Sequence, residues 1–188
     1  MKRIAIFASG SGTNAENIIK YFNTNRKAEI VYVLSNKKEA KVLERARNND
    51  VKALYFDRAS FYESEEILNT LKNAQLDLIV LAGFLWKFPE NIIEHFPNKV
   101  INIHPALLPK YGGKGMYGMN VHKAVVENKE TESGITIHYV NENYDEGAII
   151  FQAETCISKE DTPEDVAQKV RRLEYENFPP VIEELLER

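Results

Sequence analysis

Short apolar runs alternate with segments of helical periodicity along most of this chain, and that alternation limits its fold more than any other feature. Residues 3–8, 30–34, 52–56, 77–81 and 100–103 read as buried strands, with helical patterns between them at 15–22, 39–49, 62–73 and 90–96. Strands separated by helices build βαβ units, whose strands run parallel and whose helices cover both faces of the sheet. After another helical stretch at 121–127, two alternating strands at 134–140 and 148–155 are joined by a turn too short for a crossover helix. That pair is expected to be antiparallel. Thr162-Pro163-Glu164-Asp165 opens a last helix, with Thr162 as N-cap and Asp165 in capping-box position. Pro179-Pro180 is expected to break or bend it. The expected architecture is α/β: a single Rossmann-like domain over residues 1–188. It has a mostly parallel central sheet, helices on both faces and an antiparallel strand pair toward the C-terminus.

Composition excludes several kinds of function. A chain of 188 residues can bury about 70% of its unfolded surface, enough for one substantial core. The formal charge is −4, and no basic cluster longer than Lys37-Lys38 stands out, so no nucleic-acid partner is expected. No run approaches the roughly 20 apolar residues of a membrane span, and the N-terminus lacks the apolar stretch of a signal peptide. The single cysteine, Cys156, cannot form an internal disulfide and fits a reducing cytoplasm. Its alternating, strand-like surroundings predict a packed thiol.

Asn102-Ile103-His104-Pro105-Ala106-Leu107-Leu108-Pro109 carries most of the functional information. Asn102 and His104 are two residues apart at the end of a strand and therefore point the same way. Buried strands do not carry such groups on one face unless the groups have partners. In an open α/β sheet the carboxyl ends of the strands are where ligands sit.

Ser9-Gly10-Ser11-Gly12-Thr13-Asn14-Ala15 joins the first strand to the first helix. Glycines permit a tight turn, and free N–H groups at a helix start can hold a phosphate. Gly10, Gly12 and Ala15 match a dinucleotide fingerprint. The second strand, however, ends in Leu34-Ser35-Asn36-Lys37-Lys38, without the carboxylate that would hold a ribose. NAD is disfavoured; Lys37 and Lys38 leave an NADP-dependent reductase as the alternative. Ser11, Thr13 and Asn14 suit a monophosphate.

Asp145 lies in a polar turn between the last two strands and can meet His104 if the strand ends are neighbours. His138 alternates with Thr136 and Val140 and faces either the core or the same pocket. His95 and His122 fall in helical segments and are expected at the surface. No metal-ligand spacing and no G-x-S-x-G elbow occurs, so neither a metal site nor a serine hydrolase is expected.

Taken in order, these pieces resemble the folate-dependent formyltransferases, and within them the glycinamide ribonucleotide transformylase family. The resemblance runs from Ile4–Asn14 through Leu81-Ala82-Gly83-Phe84 and Asn102–Pro109. It continues through Gly134–His138 to Asp145-Glu146-Gly147, Glu174 and Phe178-Pro179. Relatives that formylate initiator tRNA, or that hydrolyse the formyl folate, carry an additional domain. The resemblance implies a single formyltransferase domain. Its implied reaction is transfer of the formyl group of 10-formyltetrahydrofolate to the amine of glycinamide ribonucleotide, within purine biosynthesis.

By that resemblance Asn102, His104 and Asp145 carry catalysis. Gly12, Thr13 and Asn14 hold the 5′-phosphate, and Glu174 meets the ribose hydroxyls. Phe84, Leu85, Trp86, Lys87 and Phe88, with Asn102 and Val140, Asn141, Glu142, Asn143 and Tyr144, line the folate pocket. Arg58 is an offset counterpart of the arginine that meets the folate glutamate. Two departures stand out: Trp86 occupies a position where relatives often have arginine, and the loop 110–119 is longer and richer in glycine. The implied partners are small molecules only, with a monomer or homodimer expected. The implied transfer is direct, without metal or covalent enzyme intermediate, using the Asn102 amide and a protonated His104 as donors to the formyl oxygen.

Overall fold

A computed structural model describes residues 1–188. Its strands are β1 (Lys2–Phe7), β2 (Ala28–Ser35), β3 (Lys52–Tyr55), β4 (Leu78–Leu81), β5 (Val100–His104), β6 (Glu132–Tyr139) and β7 (Ile149–Cys156). They form one sheet in the order β3-β2-β1-β4-β5-β6-β7. Pairing is parallel from β3 to β5; β6 runs antiparallel to β5, and β7 antiparallel to β6. The expected mixed sheet is therefore present.

Both faces of the sheet are covered, and β1 shows how. Ile4, Ile6 and Ala8 enter one core cluster, while Ala5 and Phe7 enter the other, as a period of two requires. The first cluster packs under α1 (Thr13–Asn25), α2 (Lys41–Asn48), α6 (Met119–Glu127) and α7 (Pro163–Glu187). The second packs under α3 (Arg58–Tyr62), α4 (Glu66–Asn73) and α5 (Glu90–His95), and is rich in aromatic rings: Phe7, Phe56, Phe61 and Phe88. Strands buried on both faces read as unbroken apolar runs, which is why β4 is simply Leu-Ile-Val-Leu.

Three expectations need correction. The helix expected over 62–73 is two helices, α3 and α4, because Asp57 caps an earlier start by accepting from Ser60 N at 2.8 Å. Pro179-Pro180 does not break the last helix, which continues to Glu187. The carbonyl of Tyr175, which loses its helical donor at Pro179, accepts instead from Asn17 Nδ2 at 3.0 Å. Cys156 is exposed rather than packed, since it sits at the end of the edge strand β7. No helix is long and apolar enough to cross a membrane.

Candidate active site

The sheet order reverses beside β1: β2 and β3 lie to one side, β4 and β5 to the other. At such a point the loops leaving the strands part and open a crevice. Ser9–Asn14 after β1, Gly83–Phe88 after β4 and His104-Pro105 at the end of β5 border a cleft of ≈ 750 Å³. That volume is in the range of small-molecule sites, about 300–1,000 Å³.

One end of the cleft holds the polar cluster. Asn102 stands opposite His138 across the β5–β6 ladder, and His104 stands opposite Thr136. His104 is 4% exposed and His138 is 2% exposed. His104 Nε2 lies 2.7 Å from the Tyr111 carbonyl, which fixes a proton on that nitrogen and leaves Nδ1 free. Nδ1 lies 3.6 Å from Asp145 Oδ2. The expected pairing of Asp145 with His104 is thus in place. His138 donates from Nδ1 to the Tyr139 carbonyl at 2.9 Å, so its Nε2 accepts from Asn102 Nδ2 at 3.2 Å. The same Nε2 is 3.6 Å from Asp145 Oδ1.

The electrostatics of the cluster differ from the expected protonated His104. Burial pushes the His104 imidazole below its ordinary value, against the upward pull of Asp145 and the Tyr111 carbonyl. The resting imidazole is neutral at neutral pH. Burial also pushes the Asp145 carboxyl up, but the His138 and His104 rings, once they take up protons, and the Gly113 N–H hold it below the usual carboxylate range. Gly113 N donates to Asp145 Oδ2 at 2.9 Å, tying the glycine-rich loop to the cluster. Thr136 Oγ1 shapes the segment after His104, donating to Ala106 O at 2.7 Å and accepting from Leu108 N at 3.0 Å. Gly147 closes the Asp145 turn where a Cβ would lie 1.6 Å from the Tyr139 carbonyl oxygen.

The other end of the cleft is the start of α1. Its N-cap is Gly12, at φ 73, and no side chain caps the helix. The glycine is needed for a reason the sequence did not reveal: a Cβ there would lie 2.3 Å from Val42 Cγ2 on α2. Arg45 secures the loop, donating from Nε to Ser11 O at 2.9 Å and pairing with Glu16. Thr13 and Asn14 follow Gly12 along the cleft wall. Asn14 Nδ2 donates to Glu174 Oε2 at 2.9 Å, and Asn14 Oδ1 is buried without a partner. Burial pushes the Glu174 carboxyl up, offset in part by Asn14 and Arg171.

The apolar flank is formed by Phe84, Leu85, Trp86, Phe88 and Val140, with Lys87, Asn141, Asn143 and Tyr144 at the margin. Glu142 and Arg58 do not reach the cleft wall. The Arg58 guanidinium instead stacks 5.1 Å from the Tyr62 ring and 5.9 Å from the Trp86 ring. His138, left open between core and pocket, is buried and lines the cleft. His122, expected at the surface, is buried and also lines it. The spacing Val121, His122, Val125 puts His122 on the inner face of α6, a signal present in the sequence. Arg171 was missed as well, though it precedes Glu174 by three residues and so shares its helix face.

A crevice at the strand reversal, with a polar cluster at one end and an open helix start at the other, places the protein among doubly wound α/β enzymes. The chain belongs to the formyl transferase family, which matches residues 2–182. It is 38% identical over 187 residues to the phosphoribosylglycinamide formyltransferase of Haemophilus influenzae, covering 97% of this chain and 86% of that protein. It is also 38% identical over 187 residues to the chloroplastic phosphoribosylglycinamide formyltransferase of Arabidopsis thaliana. That match covers 96% of this chain, which spans only 64% of the plant protein's length. The crystal structure of glycinamide ribonucleotide transformylase 1 from Symbiobacterium toebii superimposes with a TM-score of 0.90 at 33% identity. The match covers 100% of this chain and 88% of the other.

Proposed function

We propose that this protein transfers the formyl group of 10-formyltetrahydrofolate to the amine of glycinamide ribonucleotide, a step of purine biosynthesis. One observation carries the reading: a single cleft joins the Asn102, His104 and Asp145 cluster to the uncapped start of α1. A nucleotide-like substrate with a 5′-phosphate at Gly12, Thr13 and Asn14 and its ribose at Glu174 extends its amine toward His104. Helix N–H groups without a side-chain cap favour an anion there. The formyl donor fits the remaining space, because Phe84, Leu85, Trp86 and Val140 offer apolar surface to a flat heterocycle while Asn141 and Asn143 offer polar groups.

In the proposed reaction the amine nitrogen bonds to the formyl carbon, and the bond from that carbon to the folate nitrogen breaks. Charge develops on the formyl oxygen. One N–H of the Asn102 amide is engaged by His138, which leaves the second to donate to that oxygen. The amine must lose a proton. His104 Nδ1 is the unoccupied ring nitrogen and takes it, and Asp145 stabilises the imidazolium so formed. The proton then passes to the departing folate nitrogen. No covalent enzyme intermediate is needed. The chain works with small molecules alone, as a monomer or homodimer, and an exposed Cys156 thiol suits a reducing cytoplasm.

A thermal-shift panel tests the ligand assignment. Glycinamide ribonucleotide and a tetrahydrofolate analogue should each raise Tm, since each binds only the folded state. NADPH should not. Stabilisation by NADPH alone would support a reductase and count against this reading.

A further inference from the structure

His122 is the one histidine on the cleft wall with no partner anywhere in the fold. Its Nδ1 is sealed from solvent and unpaired, although the residue as a whole is only 6% exposed. Its Nε2 makes no hydrogen bond within the chain and is not sealed in this way, and the residue lines the cleft. A neutral imidazole carries one proton. Placing it on Nε2 leaves Nδ1 as an unpaired acceptor, which a protein interior tolerates better than an unpaired N–H. His122 thereby offers one N–H to the cleft.

Its position says what that donor meets. α6 packs against α7, and His122 lines the same cleft as Arg171 and Glu174 of α7 and as His104, close enough to Arg171 and to a protonated His104 to feel their charge. It therefore lies between the end of the cleft that carries Glu174 and the end that carries His104. Resting on the function proposed above, the substrate runs from phosphate and ribose at Asn14 and Glu174 to the reacting amine at His104. What lies between is the glycinamide amide.

We infer that His122 donates through Nε2 to the carbonyl oxygen of the glycinamide amide, selecting that group and holding the amine in line with His104. Burial, with the positive charge of Arg171 and, once it is protonated in acid, of His104, pushes the imidazole down to about 4, so it remains a neutral donor throughout the neutral range.

Three variants test this. His122→Phe keeps a ring and removes the donor, His122→Leu serves the same purpose in a smaller volume, and His122→Gln places an amide N–H near the former Nε2. Steady-state KM for glycinamide ribonucleotide should rise about tenfold or more in the Phe and Leu variants, and the Gln variant should recover most of the loss. KM for the formyl folate should not change. The inhibition constant of ribose 5-phosphate, which lacks the amide, should be the same in all four proteins. An unchanged KM for glycinamide ribonucleotide in whichever of the Phe and Leu variants folds would overturn the inference. So would a parallel loss of ribose 5-phosphate binding, which would place the contact on the sugar. A wild-type enzyme that does not turn over glycinamide ribonucleotide would sink the proposed function and this inference together; an active wild type with indifferent variants sinks only the inference.

Discussion

Asn102 and His138 face each other directly across β5 and β6, and the Asn102 amide donates from Nδ2 to His138 Nε2 at 3.2 Å. Because His138 Nδ1 is itself committed to the Tyr139 carbonyl, Nε2 can only accept, and this fixes which end of the amide is nitrogen. His138→Ala should therefore act through Asn102. Turnover should fall about 10- to 100-fold with KM for glycinamide ribonucleotide nearly unchanged, whereas Asn102→Ala should cost about 10²–10³. In the double variant the losses should not add, because both changes remove one donor. Additive losses would mean that His138 acts on something other than Asn102.

Asp145→Asn keeps the shape of the side chain and tolerates the left-handed backbone, φ 56, that this position adopts. It removes the charge that opposes burial at His104. The imidazole should then be harder to protonate, so a base-side pKa seen in kcat against pH should move down while turnover drops at least about 100-fold. Wild-type turnover across neutral pH in this variant would refute the His104–Asp145 partnership.

The phosphate end separates backbone from side-chain effects. Thr13→Ala should raise KM for glycinamide ribonucleotide only a few-fold, since helix N–H groups remain. Gly12→Ala should lower Tm as well as weaken substrate binding, because Cβ would collide with Val42 and the residue must hold φ 73. Inorganic phosphate should compete with glycinamide ribonucleotide and not with the formyl folate. Competition against the folate instead would reverse the placement of the two substrates.

Acid should destabilise the fold partly through His122. The unfolded imidazole takes up a proton near 6.5, and the folded one only near about 4. Between these values the unfolded chain binds more protons, so this contribution to stability is present above 6.5 and is lost as pH falls toward 4. The loss should be of order 2 kcal/mol once screening by cleft water is allowed for. Thermal unfolding of His122→Phe should show a shallower decline of Tm over that interval. Parallel curves for the two proteins would show that His122 takes up its proton at the same pH in the folded and unfolded states.

The sheet and its order of elements were legible because apolar runs and helical periodicity are local signals. So was the opening of α7, where Thr162 and Asp165 form the expected capping box. Asn102, His104 and Asp145 were legible as chemistry out of place: polar groups at strand ends and in a turn beside them. What could not be read depends on contacts distant in sequence. Gly12 is needed because Val42 packs against it, and Pro179 sits inside a helix because Asn17 supplies the missing donor. Neither relation leaves a trace at the position itself. The neutral state of His104 is a balance between burial and Asp145, and only the fold sets the depth of burial. The burial of His122 is different, because a local signal for it exists: it shares the inner stripe of α6 with Val121 and Val125.

Formyl transfer itself is the most direct measurement. Purified protein mixed with glycinamide ribonucleotide and 10-formyltetrahydrofolate should yield formylglycinamide ribonucleotide and tetrahydrofolate in equal amounts, and His104→Ala should abolish nearly all of it while still binding the ribonucleotide. Tetrahydrofolate and free formate appearing without formylated ribonucleotide, or no consumption of the formyl folate at all, would contradict the proposed reaction.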